Sequence, residues 1–375
     1  MMSTEILSIP SGAADTAEIR RAASALADGA VVAFPTETVY GVGVNASIAA
    51  SVERLRDVKG RAAKQPFTVH IGRREDCDRF VPELSPIARR LIRKGWPGPL
   101  TLIFPVADPK TAKVYPTLSA PGIESIYNEG TVGIRFPDHS TGASLLAQAA
   151  APIIASSANY TGHPPPSSAE EVLQTLDGRI DLLIDAGPCK YKQASTVVAL
   201  NGTGYKVIRE GVYTPSTIRR LASLNILFVC TGNTCRSPMA EGIARQLLAR
   251  KLGCREEELA GQGITVSSAG TMAFSGGPAS REAVEVCRRM GIDLGSHRAR
   301  GLSAELIHPA DHIFTMARPH LEAVRRLVPG VSTKAQLLDL SGDISDPAGG
   351  TIEDYERTAA RITQALNARM DEVEL

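Results

Sequence analysis

The stretch Asn225-Ile-Leu-Phe-Val-Cys-Thr-Gly-Asn-Thr-Cys-Arg-Ser-Pro-Met-Ala-Glu241 restricts what this chain can fold into more than any other part of it. Four apolar residues, Ile226 to Val229, predict a short buried strand. Pro238 suits the first turn of a helix whose apolar face carries Met239, Ile243 and Leu247. A strand, a tight loop and a helix N-terminus gather backbone N–H groups around one point, which makes an anion site. Thr231, Gly232, Asn233, Thr234, Cys235 and Ser237 would form the phosphate loop, with Cys230 at its mouth. The N–H groups, the helix dipole and Arg236 there favour thiolate over thiol. A thiolate facing a bound phosphate is a nucleophile for phosphoryl transfer. As a lone residue, Cys230 would more often be a small core side chain. The Gly232, Asn233, Arg236, Ser237 and Pro238 context turns the balance toward chemistry.

From about Asn225 to the C-terminus the sequence resembles the low-molecular-weight protein tyrosine phosphatases, with a second signature at Asp346-Pro-Ala-Gly-Gly350. The resemblance implies a small Rossmann-like parallel-sheet domain. It makes Cys230 the nucleophile, Arg236 the holder of the equatorial phosphate oxygens and Asp346 the general acid, although an ordinary Asp-Pro turn is the plain alternative. Ser237 would stabilise the thiolate, and His297 would brace Asn233. Cys235 is either a packed loop residue or the partner of a protective disulfide with Cys230. The implied substrate is a phosphoprotein carrying phosphotyrosine or phosphoarginine. Thr234 favours phosphoarginine, because tyrosine-specific members often carry a bulkier aliphatic residue there and the bacterial arginine phosphatases carry threonine. Ala348 replaces the aromatic residue that commonly follows Asp-Pro, and does not choose between the two.

A chain of 375 residues fits two domains, and 43% hydrophobic with 22% charged residues is an ordinary globular composition. No apolar run approaches the roughly 18 residues of a membrane helix, so no membrane partner is expected. The N-terminus lacks the basic start and apolar core of a signal peptide, and six irregularly spaced cysteines make neither a disulfide framework nor a zinc pattern. A cytoplasmic location is the expectation. Net charge of +1 decides nothing about nucleic acid. Both halves alternate strand-like and helical patterns, which predicts an α/β class. The expected divisions are a first domain over 1–215, a connector over 216–224 and a second domain over 225–375. In the first domain, Asp15-Thr-Ala-Glu18 predicts a capping box before Ile19, Ala22, Ala23 and Leu26. Pro164-Pro-Pro-Ser-Ser168 predicts a rigid loop inside that domain rather than a linker.

Three features of the first domain place polar groups beside strand ends, where α/β proteins bind ligands. They are Thr38 within Phe34-Pro-Thr-Glu-Thr-Val-Tyr-Gly-Val-Gly43, the pair Lys59 and Arg61 around Gly60, and Ser156-Ser-Ala-Asn159. Each is weak alone, and His70 alone would more often be a satisfied strand histidine. Arg135 and Arg209 each follow an apolar run, where a charge is costly unless an anion pairs with it.

In this order, over roughly residues 10 to 212, the motifs resemble the YrdC-like family of threonylcarbamoyl-AMP synthases, which begin the threonylcarbamoyl modification of adenosine in tRNA. The resemblance implies an open, twisted mixed sheet and a reaction of L-threonine, bicarbonate and ATP. It assigns Lys59, Arg61, Gln65, Thr131, Ser157, Asn159, Pro165 and Arg209 to ATP. It assigns Thr38, His70, Arg135, Ala155 and Ser195 to threonine. Mg2+ would arrive with ATP and take no ligand from protein side chains. Implied partners are proteins of the tRNA pathway and tRNA itself. Ala62, Gln65, Pro165 and Ala194 depart from the usual pattern. A reading of another class is an RNA-binding module without catalysis, leaving the phosphatase as the one active domain. No aromatic stacking motif accompanies the basic residues to support it.

Overall fold

The computed structural model describes residues 3–61, 65–202, 204–370 and 373. Ala62 lies outside the described residues. The chain divides into two compact units, 1–221 and 222–375.

The first unit is built on one mixed sheet. Its strands are β1 (Glu5–Ser8), β2 (Val32–Phe34), β3 (Gly41–Asn45), β4 (Thr68–His70), β5 (Leu100–Pro105), β6 (Tyr127–Asn128), β7 (Thr131–Arg135), β8 (Ile153–Ser157), β9 (Leu182–Asp185), β10 (Thr196–Leu200) and β11 (Tyr205–Arg209). They lie in the order β1-β9-β2-β3-β8-β4-β7-β5-β10-β11, with β6 paired to β7. Strand β7 shows how this sheet makes both a core and a site. Val132 and Ile134 are fully buried, while Thr131, Gly133 and Arg135 alternate with them and share the opposite face. The register sets Arg135 opposite His70 on one side and Thr101 on the other.

The first helix, Ala17–Ala27, is capped by Thr16, whose hydroxyl accepts from the Ile19 N–H. The cap expected at Asp15 is therefore shifted by one residue, and Asp15 instead meets Arg20 on the surface at 2.5 Å. Ile19, Ala22, Ala23 and Leu26 form its buried stripe, as their spacing predicts. The segment expected as a connector is helical over Pro215–Ala222, where Ile218 is fully buried.

The second unit is a four-stranded parallel sheet in the order β13-β12-β14-β15, formed by β12 (Leu224–Cys230), β13 (Ile264–Gly270), β14 (His312–Thr315) and β15 (Ala335–Leu337). Strand β12 is longer than the four residues expected. Ile226 and Phe228 join one core and Leu227 and Val229 the other, so both faces are covered, and a central parallel strand reads as a continuous apolar run for that reason. Because β13 and β14 flank β12 on opposite sides, its carboxyl end lies at a topological switch point.

Gly60 ends the helix Ala49–Lys59 in the left-handed region at φ 57°, and a Cβ there would fall 2.2 Å from the Tyr160 ring. Gly60→Ala should therefore destabilise the first unit by about 1–3 kcal/mol. Urea unfolding followed by fluorescence of Trp96, the one tryptophan, is the check; an unchanged midpoint would show that the turn relaxes freely.

Candidate active sites

The central strands of the first unit carry a cavity of about 490 Å³ on one face of the sheet. Thr68 and His70 from β4, Thr101 and Ile103 from β5, and Thr131, Gly133 and Arg135 from β7 line it. They do so because residues two apart share a face. Every residue assigned to ATP or threonine lines this cavity except Thr38. Thr38 is fully buried, and its hydroxyl accepts from Arg135 Nη2 at 2.6 Å. Thr36, two residues earlier, reaches the wall instead. The site thus covers a sheet face as well as the strand ends, where Ser157, Asn159, Ser195 and Arg209 lie.

Arg135 meets a carboxylate of the chain itself. Glu37 is 2% exposed and its Oε1 lies 3.1 Å from Arg135 Nη2. The anion expected from a ligand is already supplied in part by Glu37, which sequence reasoning did not single out. Lys59 is also committed internally. Its ammonium donates to the Ser157 carbonyl at 2.5 Å, to the Asn159 carbonyl and to Asn159 Oδ1 at 3.1 Å. These three bonds use all the donors an ammonium has, so Lys59 holds the loop after β8 rather than offering a free hand to phosphate. Burial, then Arg61, pushes its pKa down to about 8.

Arg61 stacks over Phe67 at 4.7 Å from the ring centroid, and its Nε donates to Gln65 Oε1 at 3.2 Å. Burial, then Arg56, lowers its pKa. Arg209 donates to the Ser195 carbonyl at 2.9 Å, and Ser195 Oγ lies 2.9 Å from Thr101 Oγ1. His70 Nδ1 lies 3.1 Å from the Thr68 carbonyl, which can only accept, so Nδ1 carries the proton and Nε2 is left as an acceptor. Burial, then Arg135, pushes the His70 pKa down to about 3, which keeps the ring neutral. Phe67 and Thr101 were missed; the alternation through β5 was the signal for Thr101.

In the second unit the loop after β12 closes around Cys230. Asn233 adopts φ 55°, a left-handed conformation that asparagine tolerates, and its N–H donates to Cys230 Sγ at 3.3 Å. One amide side chain then sets the polarity of the site. Asn233 Nδ2 donates to Ser237 Oγ at 2.9 Å and to Ser268 Oγ at 2.8 Å. Ser237 is thereby an acceptor from Asn233, and its own proton can go to Cys230 Sγ 2.9 Å away, with the Ala269 carbonyl a more distant acceptor at 3.4 Å. The Ser268 hydroxyl donates to Glu241 Oε2 at 2.6 Å. The Arg300 N–H donates to Asn233 Oδ1 at 2.9 Å, and His297 Nε2 donates to the Asn233 carbonyl at 2.8 Å. His297 thus braces the loop, as expected.

Arg236 is 5% exposed and pairs with Asp346, whose side chain is 43% exposed. Cys235 Sγ lies 3.3 Å from the Tyr355 hydroxyl and 3.4 Å from Ser280 Oγ. Thr231 Oγ1 accepts from Arg236 Nη2 at 3.3 Å and lies 2.9 Å from His320 Nε2, a residue the sequence reading passed over.

Residues 24–211 match the Sua5/YciO/YrdC family model, described as telomere recombination, and residues 225–374 match the model described as low molecular weight phosphotyrosine protein phosphatase. The chain belongs to the Sua5/YciO/YrdC family and carries a low-molecular-weight phosphatase domain behind that part. It is 37% identical over 194 residues to the threonylcarbamoyl-AMP synthase of Pyrococcus abyssi, covering 52% of this chain and 54% of that protein. The chain therefore spans about half the length of that relative. A structure of Sua5 from P. abyssi is similar in fold, with a TM-score of 0.51 and 23% identity over 86% of this chain and 96% of that one. A low molecular weight protein tyrosine phosphatase from T. tengcongensis is 37% identical over 40% of this chain and 99% of that one, with a TM-score of 0.36.

The neutral, buried His70 has a consequence for stability. Its folded pKa, about 3, lies below its ordinary value of 6.5, so between these values the unfolded chain binds a proton that the folded site excludes. Stability should fall as pH falls through that window, with a slope of up to about 1.4 kcal/mol per pH unit from this group. Unfolding followed by Trp96 between pH 7 and 5 should show a shallower slope in His70→Gln than in wild type; equal slopes would reject the assignment.

Proposed function

We propose that the first unit is an L-threonylcarbamoyladenylate synthase and the second a cysteine-dependent protein phosphatase. The observation that carries the first assignment is the convergence of Arg61, Arg135 and Arg209 with Thr36, Thr131, Ser157 and Ser195 on one cavity. Its volume of about 490 Å³ lies within the ordinary range for a small-molecule site. In the reaction, the threonine amino group takes up bicarbonate-derived CO2 as a carbamate. A carbamate oxygen then attacks the α-phosphorus of ATP and pyrophosphate leaves. The chain's own part is positioning and charge stabilisation, which suits a wall of cations and hydroxyls with no conventional nucleophile. Arg61 and Arg209 would meet the phosphates, and Arg135 the threonine carboxylate. Among the described residues no group of three or more His, Cys, Asp or Glu could hold a metal. Mg2+ would arrive with ATP and be held by the nucleotide's phosphates, whose charge it neutralises. The product would pass to tRNA-modifying partners in the cytoplasm.

Arg61→Ala should lower pyrophosphate release at least a hundredfold, because a desolvated Arg–phosphate contact contributes several kcal/mol. The assay measures pyrophosphate with and without L-threonine and bicarbonate. Wild-type release indifferent to threonine would reject the synthase, and RNA binding without any release would favour the non-catalytic module.

In the second unit, Cys230 attacks phosphorus in line while Arg236 and the loop N–H groups hold the equatorial oxygens. Ser237 steadies the sulfur, and Asp346 protonates the leaving atom. Phosphoarginine is the favoured substrate, because the small Thr234 leaves room for a planar guanidinium and its hydroxyl can accept from it. The ratio of kcat/KM for matched phosphoarginine and phosphotyrosine peptides should favour arginine in wild type and shift toward tyrosine in Thr234→Ile, with Cys230→Ser as the inactive control. A wild-type preference for phosphotyrosine, unmoved by the substitution, would overturn this choice.

A further inference from the structure

Arg236 has three partners: the Ile344 carbonyl, 3.0 Å from Nη1; Thr231 Oγ1, 3.3 Å from Nη2; and Asp346, also at Nη2. Its Nε has no hydrogen-bond partner among the described residues. Asp346 cannot act as a neutral acid toward a leaving group and also remain the anionic partner of Arg236. When it turns to the leaving group, the Ile344 carbonyl still holds Nη1, but Nη2 loses its carboxylate and keeps only Thr231, a neutral acceptor that does not compete with phosphate.

We propose that His320, acting through the Thr231 hydroxyl, is a positioning residue that keeps Arg236 oriented for phosphate while Asp346 serves as the acid; this rests on the phosphatase function proposed above. His320 is 5% exposed and lies in the first turn of the helix Arg318–Leu327, with Nε2 2.9 Å from Thr231 Oγ1. Its Nδ1 is buried and has no partner among the described residues. A buried N–H left unpaired is rarer and costlier than an unused lone pair. The proton therefore sits on Nε2 and is donated to Thr231. Thr231 Oγ1 then accepts from both His320 and Arg236, which fills its two lone pairs and leaves its own proton free to donate. Burial, then Arg236, pushes the His320 pKa down to about 4, against the weaker opposing pull of Asp346 and Asp343. The neutral form needed for this role is the one present near neutral pH.

The test uses the full chain, p-nitrophenyl phosphate as substrate and inorganic phosphate as competitive inhibitor. Thr231→Val and His320→Leu should each raise the phosphate Ki about tenfold, as loss of a hydrogen bond to a charged group's support implies. If His320 works through Thr231, the double variant should be no worse than either single one. His320→Gln, whose amide can still donate, should recover most of the loss when Thr231 is present and none of it in Thr231→Val. An unchanged Ki in His320→Leu, or losses that multiply to about a hundredfold in the double variant, would overturn the inference. Should His320→Leu fail to fold, His320→Phe, which also removes the donor, takes its place in the cycle with Thr231→Val, and an unchanged Ki or multiplied losses there overturn the inference. A wild type that neither hydrolyses the substrate nor binds phosphate would remove the phosphatase function itself.

Discussion

The ammonium of Lys59, buried and bonded to the carbonyls of Ser157 and Asn159 and the Asn159 amide, joins the end of one helix to the loop after β8. A cation removed from water costs several kcal/mol unless its donors are met, so this contact cannot be loosened without a large loss. The same constraint governs buried Arg236, which donates to the Ile344 carbonyl, while the exposed Arg209 also donates to a carbonyl, that of Ser195. Neutral acceptors satisfy part of each donor set without cancelling the charge. That leaves positive potential in the site, which is what an anionic substrate requires. Arg135 and Arg236 also meet carboxylates of the chain directly, buried Glu37 and the half-exposed Asp346 respectively.

The two units use different backbone geometry to place such groups. In the first, the pleat does the work: alternation along β7 sends Val132 and Ile134 into the core and Thr131, Gly133 and Arg135 to the cavity. In the second, one parallel strand ends at a switch point, and the loop after it turns back on the cysteine. Asn233 is the pivot of that loop. Its amide hydrogens go to Ser237 and Ser268, its side-chain oxygen accepts from Arg300 and its carbonyl from His297. Because every polar atom of the amide is used, the group cannot flip, and the Ser237 proton is kept available to Cys230.

Much of this was legible in the sequence. The apolar run before Cys230, the Gly-Asn-x-x-Arg-Ser loop and the helical spacing after Pro238 define a strand–loop–helix anion site through local chemistry alone, and β12 and the helix Arg236–Leu252 follow it. Local signals also located the helix Ala17–Ala27 and the runs that became β9, β10 and β11. Boundaries were less exact: the cap moved from Asp15 to Thr16, and 216–224 became largely helix. A cap depends on which hydroxyl reaches the third N–H, and neighbouring polar residues compete for that position.

By itself the sequence determined which residues carry charge and hydroxyls, and which segments must be buried, because those follow from side-chain chemistry and from periods of 2 and 3.6 residues. Only the tertiary structure decided how those groups are partnered. It took Thr38 off the cavity wall and brought Thr36 there, paired Arg135 with Glu37, filled the donors of Lys59 and set His320 against Thr231. Each of these contacts joins residues that are distant in the chain or differ in which way a buried side chain faces. Strand register and packing settle both, and neither is written in local composition.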